Sequence, residues 1–120
     1  MQASQPNLFI VYVDDPQVSA PFYTRLMGRE PVFAVPTFVS YDLGSGFMLS
    51  LISRKSDAAT PGKDFELAFT VEDAAKVDAL HEDWSRNGVD IAQAPYDARF
   101  GRTFVARDPD GHLLRVNLAD

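Results

Sequence analysis

The sequence predicts an α+β domain built from two βαβββ modules, and three observations carry that prediction. The chain repeats itself at an offset of 58 residues: Leu8-Phe9-Ile10-Val11-Tyr12-Val13-Asp14-Asp15 matches Glu66-Leu67-Ala68-Phe69-Thr70-Val71-Glu72-Asp73, which sets Val13 on Val71 and Asp15 on Asp73. Each copy opens with a run of β-branched and aromatic residues and passes, at an aspartate, into a segment with helical spacing. Each helical segment then ends at a glycine, Gly28 or Gly88, with two residues inserted in the second copy. A chain of 120 residues buries roughly two-thirds of its unfolded surface, so one core suffices without covalent staples.

The elements follow in order. The first strand covers residues 8–13. Asp15 then caps a helix, where its carboxylate accepts an orphan backbone N–H and meets the positive end of the dipole. Pro16 suits the first helical position. Val18, Phe22 and Leu26 recur every four residues, and the repeat carries Phe22 onto Leu80 and Leu26 onto Trp84. Short strands follow at Pro31 to Ala34, Phe38 to Leu43 and Met48 to Ile52, the last two joined by a turn at Gly44-Ser45-Gly46. Residues 53–64, with Ala58, Ala59, Pro61 and Gly62, have little to pack and read as a linker. In the second module Asp73 caps a helix whose Val77, Leu80 and Trp84 form one buried stripe. Asn87-Gly88 stops it. Strands at Gly101 to Arg107 and His112 to Leu118 flank Asp108-Pro109-Asp110-Gly111, whose Pro and Gly fit a type I turn. The modules are expected at about residues 7–52 and 65–118 of a single domain, with Phe22, Phe69, Trp84 and Phe104 in its core.

Composition excludes several functions. Without Cys there is no disulfide, thiolate zinc site or thiol nucleophile, and 17 acidic against 11 basic side chains give a formal charge of -6. Neither that balance nor any local basic run suits a nucleic-acid surface. No apolar stretch approaches the roughly 20 residues of a membrane span, and residues 1–7 carry no apolar leader core. The expectation is a cytoplasmic protein with no nucleic-acid or membrane partner.

These residues resemble the vicinal-oxygen-chelate superfamily, the glyoxalase and bleomycin-resistance fold. Val13-Asp14-Asp15, Ser19 with Phe22-Tyr23, Leu26-Met27-Gly28 and Asp108-Pro109-Asp110-Gly111-His112 carry the resemblance, which covers Asn7 to Leu118. It implies strands forming a cupped mixed sheet, and a homodimer whose clefts hold the ligand. Pro6-Asn7-Leu8, Val11-Tyr12-Val13, Glu30-Pro31-Val32-Phe33 and Phe100-Gly101-Arg102-Thr103-Phe104 are most similar to its drug-binding branch, the phenazine-antibiotic resistance proteins. That likeness implies binding of a planar aromatic antibiotic without a metal. Where the phenazine binder has a stacking Trp, this chain has Ile52.

In metal-dependent members the resemblance sets ligands seven residues before each capping Asp and seven after the first Asp of the final turn, which here are Leu8, Glu66 and Arg115. Leu cannot ligate and Arg is a permanent cation, so only Glu66 keeps donor chemistry, and no metal or other cofactor is expected. His81 and His112 read as surface residues.

Strand alternation assigns side chains to faces. Phe9, Val11 and Val13 should meet the helices, leaving Leu8, Ile10 and Tyr12 opposite. Glu66, Ala68 and Thr70 share a face, as do Leu113, Arg115 and Asn117. Glu66 and Arg115 then either pair where the ion would sit or hold a ligand carboxylate. With Phe38, Ser40 and Asp42 inward beside Met48, Ser50 and Ile52, one wall is apolar, and Tyr96 and Phe100, ahead of the next strand, close the mouth. The candidate ligand-binding residues are therefore Tyr12, Phe38, Met48, Ile52, Glu66, Tyr96, Phe100 and Arg115. None is assigned a catalytic role.

The function expected is sequestration of a planar aromatic antibiotic or related metabolite. The alternative is an enzyme of the superfamily, a lyase, isomerase or dioxygenase, with an atypical or absent metal and Glu66 as base; a third is a subunit with a vestigial cleft.

Overall fold

A computed structural model describes residues 5–118 of the chain. The elements are β1 (Leu8–Val13), α1 (Pro16–Met27), β2 (Phe33–Val35), β3 (Phe38–Gly44), β4 (Phe47–Ser53), β5 (Phe65–Val71), α2 (Ala74–Arg86), β6 (Asp90–Ala98), β7 (Gly101–Arg107) and β8 (Leu113–Leu118). Two helices and eight strands in mixed parallel and antiparallel pairing make an α+β fold. None of the described helices is long and apolar enough to cross a membrane.

The chain divides into two compact units, one of Leu8–Phe65 and one of residue 66 onward together with the segment ending at Asn7. In the first, the strands run β2-β3-β4-β1, with β1 parallel to β4 and the other pairs antiparallel. In the second they run β6-β7-β8-β5, with β5 parallel to β8 and the rest antiparallel. The two halves thus have one topology, as the repeat predicts.

The punctuation works as read. Asp15 accepts from the Gln17 backbone N–H and Asp73 from that of Lys76, each at 2.9 Å. Gly28 closes α1 in the left-handed region, at φ 66°, with its N–H donating to the Thr24 carbonyl, a conformation that favours a residue without a Cβ. Between β7 and β8, the Asp108 carboxylate accepts from the backbone N–H groups of Asp110 and His112 and pairs with the His112 ring. Those bonds, led by the His112 backbone N–H, hold its pKa below the ordinary carboxylate value.

Three expectations need correction. The second half gains β6, whose sequence, DIAQAPYDA, is polar, holds Pro95 and pairs with β7 through two register shifts. Pro and bulges are tolerated in such a strand because no further strand needs its outer N–H groups. Tyr96 therefore lies within β6, and only Phe100 sits in the turn before β7. His81 is not a surface residue: it is partly buried, edge-on to Phe104 at 5.4 Å.

The third correction concerns α1. Val18, Phe22 and Leu26 are 72%, 52% and 67% exposed, so Phe22 is not core. The face that packs on its sheet is Ala20, Tyr23 and Met27, against buried Val39, Tyr41, Leu49 and Leu51. The Tyr41 hydroxyl fixes this choice, donating to the Ala20 carbonyl at 2.8 Å and bonding the Thr24 hydroxyl at 2.9 Å. In α2 the buried face is Val77, Leu80 and Trp84, as read. The packed faces of the helices are thus 57 residues apart (77 less 20), whereas their caps are 58 apart (73 less 15). One residue of phase is about 100° of helix rotation, enough to turn an apolar stripe outward.

Candidate functional site

In the unit of Leu8–Phe65, α1 covers the sheet face that carries Phe9, Val11, Val13, Val39, Tyr41, Leu49 and Leu51. The opposite face is ordered in rows by strand register. Leu8, Met48 and Asp42 form one row; Ile10, Ser50, Ser40 and Phe33 the next; Tyr12, Ile52, Phe38 and Val35 the third. Tyr12, Phe38 and Ile52 of the candidate set therefore stand side by side, and Met48 shares their face two rows away. Tyr12 and Ile52 are buried, Phe38 and Met48 partly so. Phe38 meets Phe33 edge-on at 5.6 Å, and the Tyr12 hydroxyl donates to the Ala58 carbonyl at 3.4 Å. The wall is apolar apart from the exposed Asp42 at its end, the Tyr12 hydroxyl and the Ser40 and Ser50 hydroxyls, which bond each other at 3.1 Å.

The second unit has the same design with different chemistry. Its α2 covers the face of Phe69, Val71, Phe104, Ala106, Leu114, Val116 and Leu118. On the other face the Arg115 guanidinium donates through Nε to Glu66 at 2.9 Å, and through Nη1 to the hydroxyls of Thr103 at 3.1 Å and Tyr96 at 3.4 Å. Arg115 is 2% exposed and Glu66 not at all. Thr103 in turn donates to the Val116 carbonyl at 2.7 Å, which leaves its oxygen to accept from Arg115. Here charge is buried and also hydrogen-bonded, the condition for keeping ions in a protein interior. Thr103 is the member the sequence reading missed; its alternation with Val105 on β7 was the available signal.

This network also tests the divalent ion that the resemblance implies. A guanidinium already donates to the carboxylate that would ligate, Leu8 offers no donor atom, and no group of three His, Cys, Asp or Glu side chains is gathered among the described residues. The residues present do not fit a metal.

Glu66, Tyr96 and Arg115 are thus brought together in one unit, and Tyr12, Phe38 and Ile52 in the other. Phe100, partly buried in the β6–β7 turn, belongs to neither cluster.

Comparison with known proteins agrees with this architecture. The family model of the Glyoxalase/Bleomycin resistance protein/Dioxygenase superfamily matches residues 5–116. The chain is 31% identical over 115 residues to the phenazine antibiotic resistance protein EhpR of Enterobacter agglomerans, covering 92% of this chain and 89% of that protein. A solved structure named as an NAD-dependent benzaldehyde dehydrogenase, from Legionella pneumophila, is 35% identical with a TM-score of 0.86, over 95% of this chain and all of that one. Methylmalonyl-CoA epimerase from Mycobacterium tuberculosis, 17% identical, shares the fold with a TM-score of 0.71 over 100% of this chain and 94% of its own.

Proposed function

The chain belongs to the Glyoxalase/Bleomycin resistance protein/Dioxygenase superfamily, and from that premise we propose that it binds a planar aromatic antibiotic or related metabolite without a metal and confers resistance by sequestration. The observation that carries the reading is the Arg115–Glu66 pair: the one carboxylate kept at the family's ligand positions is held by a buried guanidinium at 2.9 Å. Likeness to a phenazine antibiotic resistance protein supports the ligand class. In the row Tyr12, Ile52, Phe38 the partly exposed Phe38 offers ring surface of the kind such rings pack on, where an aromatic pair adds about 0.5–1.5 kcal/mol beyond area burial. A nicotinamide-cofactor reading lacks a motif: the Gly-x-Gly at Gly44-Ser45-Gly46 turns β3 into β4 instead of leading a strand into a helix.

The same reading includes a homodimer in the cytoplasm. Val18, Phe22 and Leu26 form an apolar stripe with Arg25 as its charged neighbour, the kind of surface that monomers rarely leave uncovered. Light scattering should give twice the chain mass of 13.3 kDa, and Phe22→Glu should return the monomer; a monomeric wild type contradicts the dimer.

Thermal-shift measurements on metal-stripped protein test the function. A phenazine at about 100 times its dissociation constant should add roughly 2.7 kcal/mol of stability, while Mn, Fe, Ni and Zn ions give no shift. Stabilisation by a divalent ion alone would overturn the reading in favour of a metal enzyme of the superfamily.

A further inference from the structure

Strand register in the second unit lines up four polar side chains. Thr70 on β5 is paired with Asn117 on β8. On β7, Thr103 is one step along from the Phe104–Val116 pair, which sets it opposite Asn117, and it is paired in turn with Tyr96 on β6. The row Thr70, Asn117, Thr103, Tyr96 stands on the face of Arg115, away from α2. The repeat makes the contrast plain: Tyr12 corresponds to Thr70, yet the row through Tyr12 is apolar.

Three members of the polar row have their oxygens engaged. Thr70 accepts from the Asn7 side-chain amide at 2.7 Å, Thr103 accepts from Arg115 and donates to Val116, and Tyr96 accepts from Arg115. Asn117 differs. Its Nδ2 donates to the Leu118 carbonyl at 3.2 Å, which fixes which way round the amide sits, since the flipped amide would face oxygen to oxygen. Its Oδ1 is buried and has no hydrogen-bond partner among the described residues, although the residue is only 7% exposed. A buried carbonyl acceptor left unmatched destabilises the free protein, so a polar group in that position calls for a donor. Thr70, the neighbour of Asn117 in the row, and Tyr96, at the end of the row beyond the buried Thr103, are partly exposed, which gives this face of the sheet access to solvent.

We infer that Asn117 sets ligand specificity: its Oδ1 accepts a hydrogen bond from an N–H or O–H at the edge of the bound ring system, so that donor-bearing planar aromatics are selected over bare rings. The inference rests on the binding function proposed above and adds the substituent that the ligand carries. A site built around an acceptor rejects the analogue that cannot donate, because the acceptor is then left unpaired.

Phenazine and 2-aminophenazine differ by that donor. Wild-type protein should bind 2-aminophenazine about 10-fold more tightly. Asn117→Leu should erase the ratio by weakening 2-aminophenazine about 10-fold more than phenazine, and should keep or raise the melting midpoint. A ratio that survives Asn117→Leu, or a midpoint that falls by several degrees in that variant, makes Asn117 structural and overturns the inference. Failure of both phenazines to bind wild-type protein refutes the proposed function instead. The inference is then decided by NMR with benzamide as the donor-bearing probe: a saturable shift of the Asn117 side-chain amide upholds it, and no shift overturns it.

Discussion

Replacing Arg115 with Met is expected to lower stability by about 3–5 kcal/mol, because it leaves the fully buried Glu66 carboxylate without its guanidinium partner. Both the charge and the Thr103 and Tyr96 hydroxyls lose their donor at once. For a domain of this size the melting midpoint should drop by roughly 10 °C or more. Removing the carboxylate as well, in Glu66→Leu/Arg115→Met, should recover most of the loss, since a buried ion pair exchanged for apolar groups of similar volume is often neutral. Thermal melts of the single and double variants decide the matter. A single variant that loses under about 1 kcal/mol would mean that Glu66 reaches water or finds another cation.

A comparable loss should follow from emptying the core beneath α2. Trp84 is buried and meets Phe69 and Phe104 edge-on, each at 5.4 Å, with Val77, Leu80 and Val116 in the same cluster. Trp84→Ala removes the largest ring and leaves a cavity that a sheet on one side and a helix on the other cannot close, at a cost of about 3–5 kcal/mol. Denaturant unfolding should show it as a lower midpoint with an unchanged slope. Leu26→Ala, at the repeat-related position in α1, should cost little when made in the Phe22→Glu monomer, because Leu26 is exposed in the single chain. A loss in that monomer equal to the loss at Trp84 would mean that Leu26 packs in the chain's own core.

That contrast marks where the sequence is legible. The strand-to-helix junctions could be read because Asp15, Pro16 and Asp73 act locally, through bonds to backbone N–H groups two or three residues away. Strand faces could be read because period two is strict wherever no bulge intervenes: Glu66 with Arg115, and Tyr12 with Ile52 and Phe38, fall on shared faces as alternation requires. The phase of α1 was not legible. Its apolar stripe spans Val18, Phe22 and Leu26, but the docking face is chosen by the Tyr41 hydroxyl reaching Ala20 and Thr24 from a strand 17 to 21 residues on. Nor was β6, since Pro95 and two register shifts break its alternation. Asn117 was placed on the right face by counting, yet its unmatched oxygen emerges only from packing. Which carbonyl oxygens find donors depends on neighbours distant in sequence.

The metal positions show the opposite case, in which sequence is decisive. A guanidinium keeps its charge at every accessible pH, so the resemblance, which sets Arg115 and Glu66 at ligand positions, already disfavours a divalent ion there. The structure adds the distance, 2.9 Å, and the supporting hydroxyls of Thr103 and Tyr96. The function proposed above, metal-free binding of the ligand without turnover, rests on that pairing.

Equilibrium dialysis of EDTA-treated protein against phenazine-1-carboxylic acid, with mass analysis of the recovered compound, tests that claim most directly. Saturable binding of one molecule per chain is expected, unaffected by added divalent ions, with the compound recovered at unchanged mass. Binding that requires a divalent ion, or a recovered compound of altered mass, would contradict it.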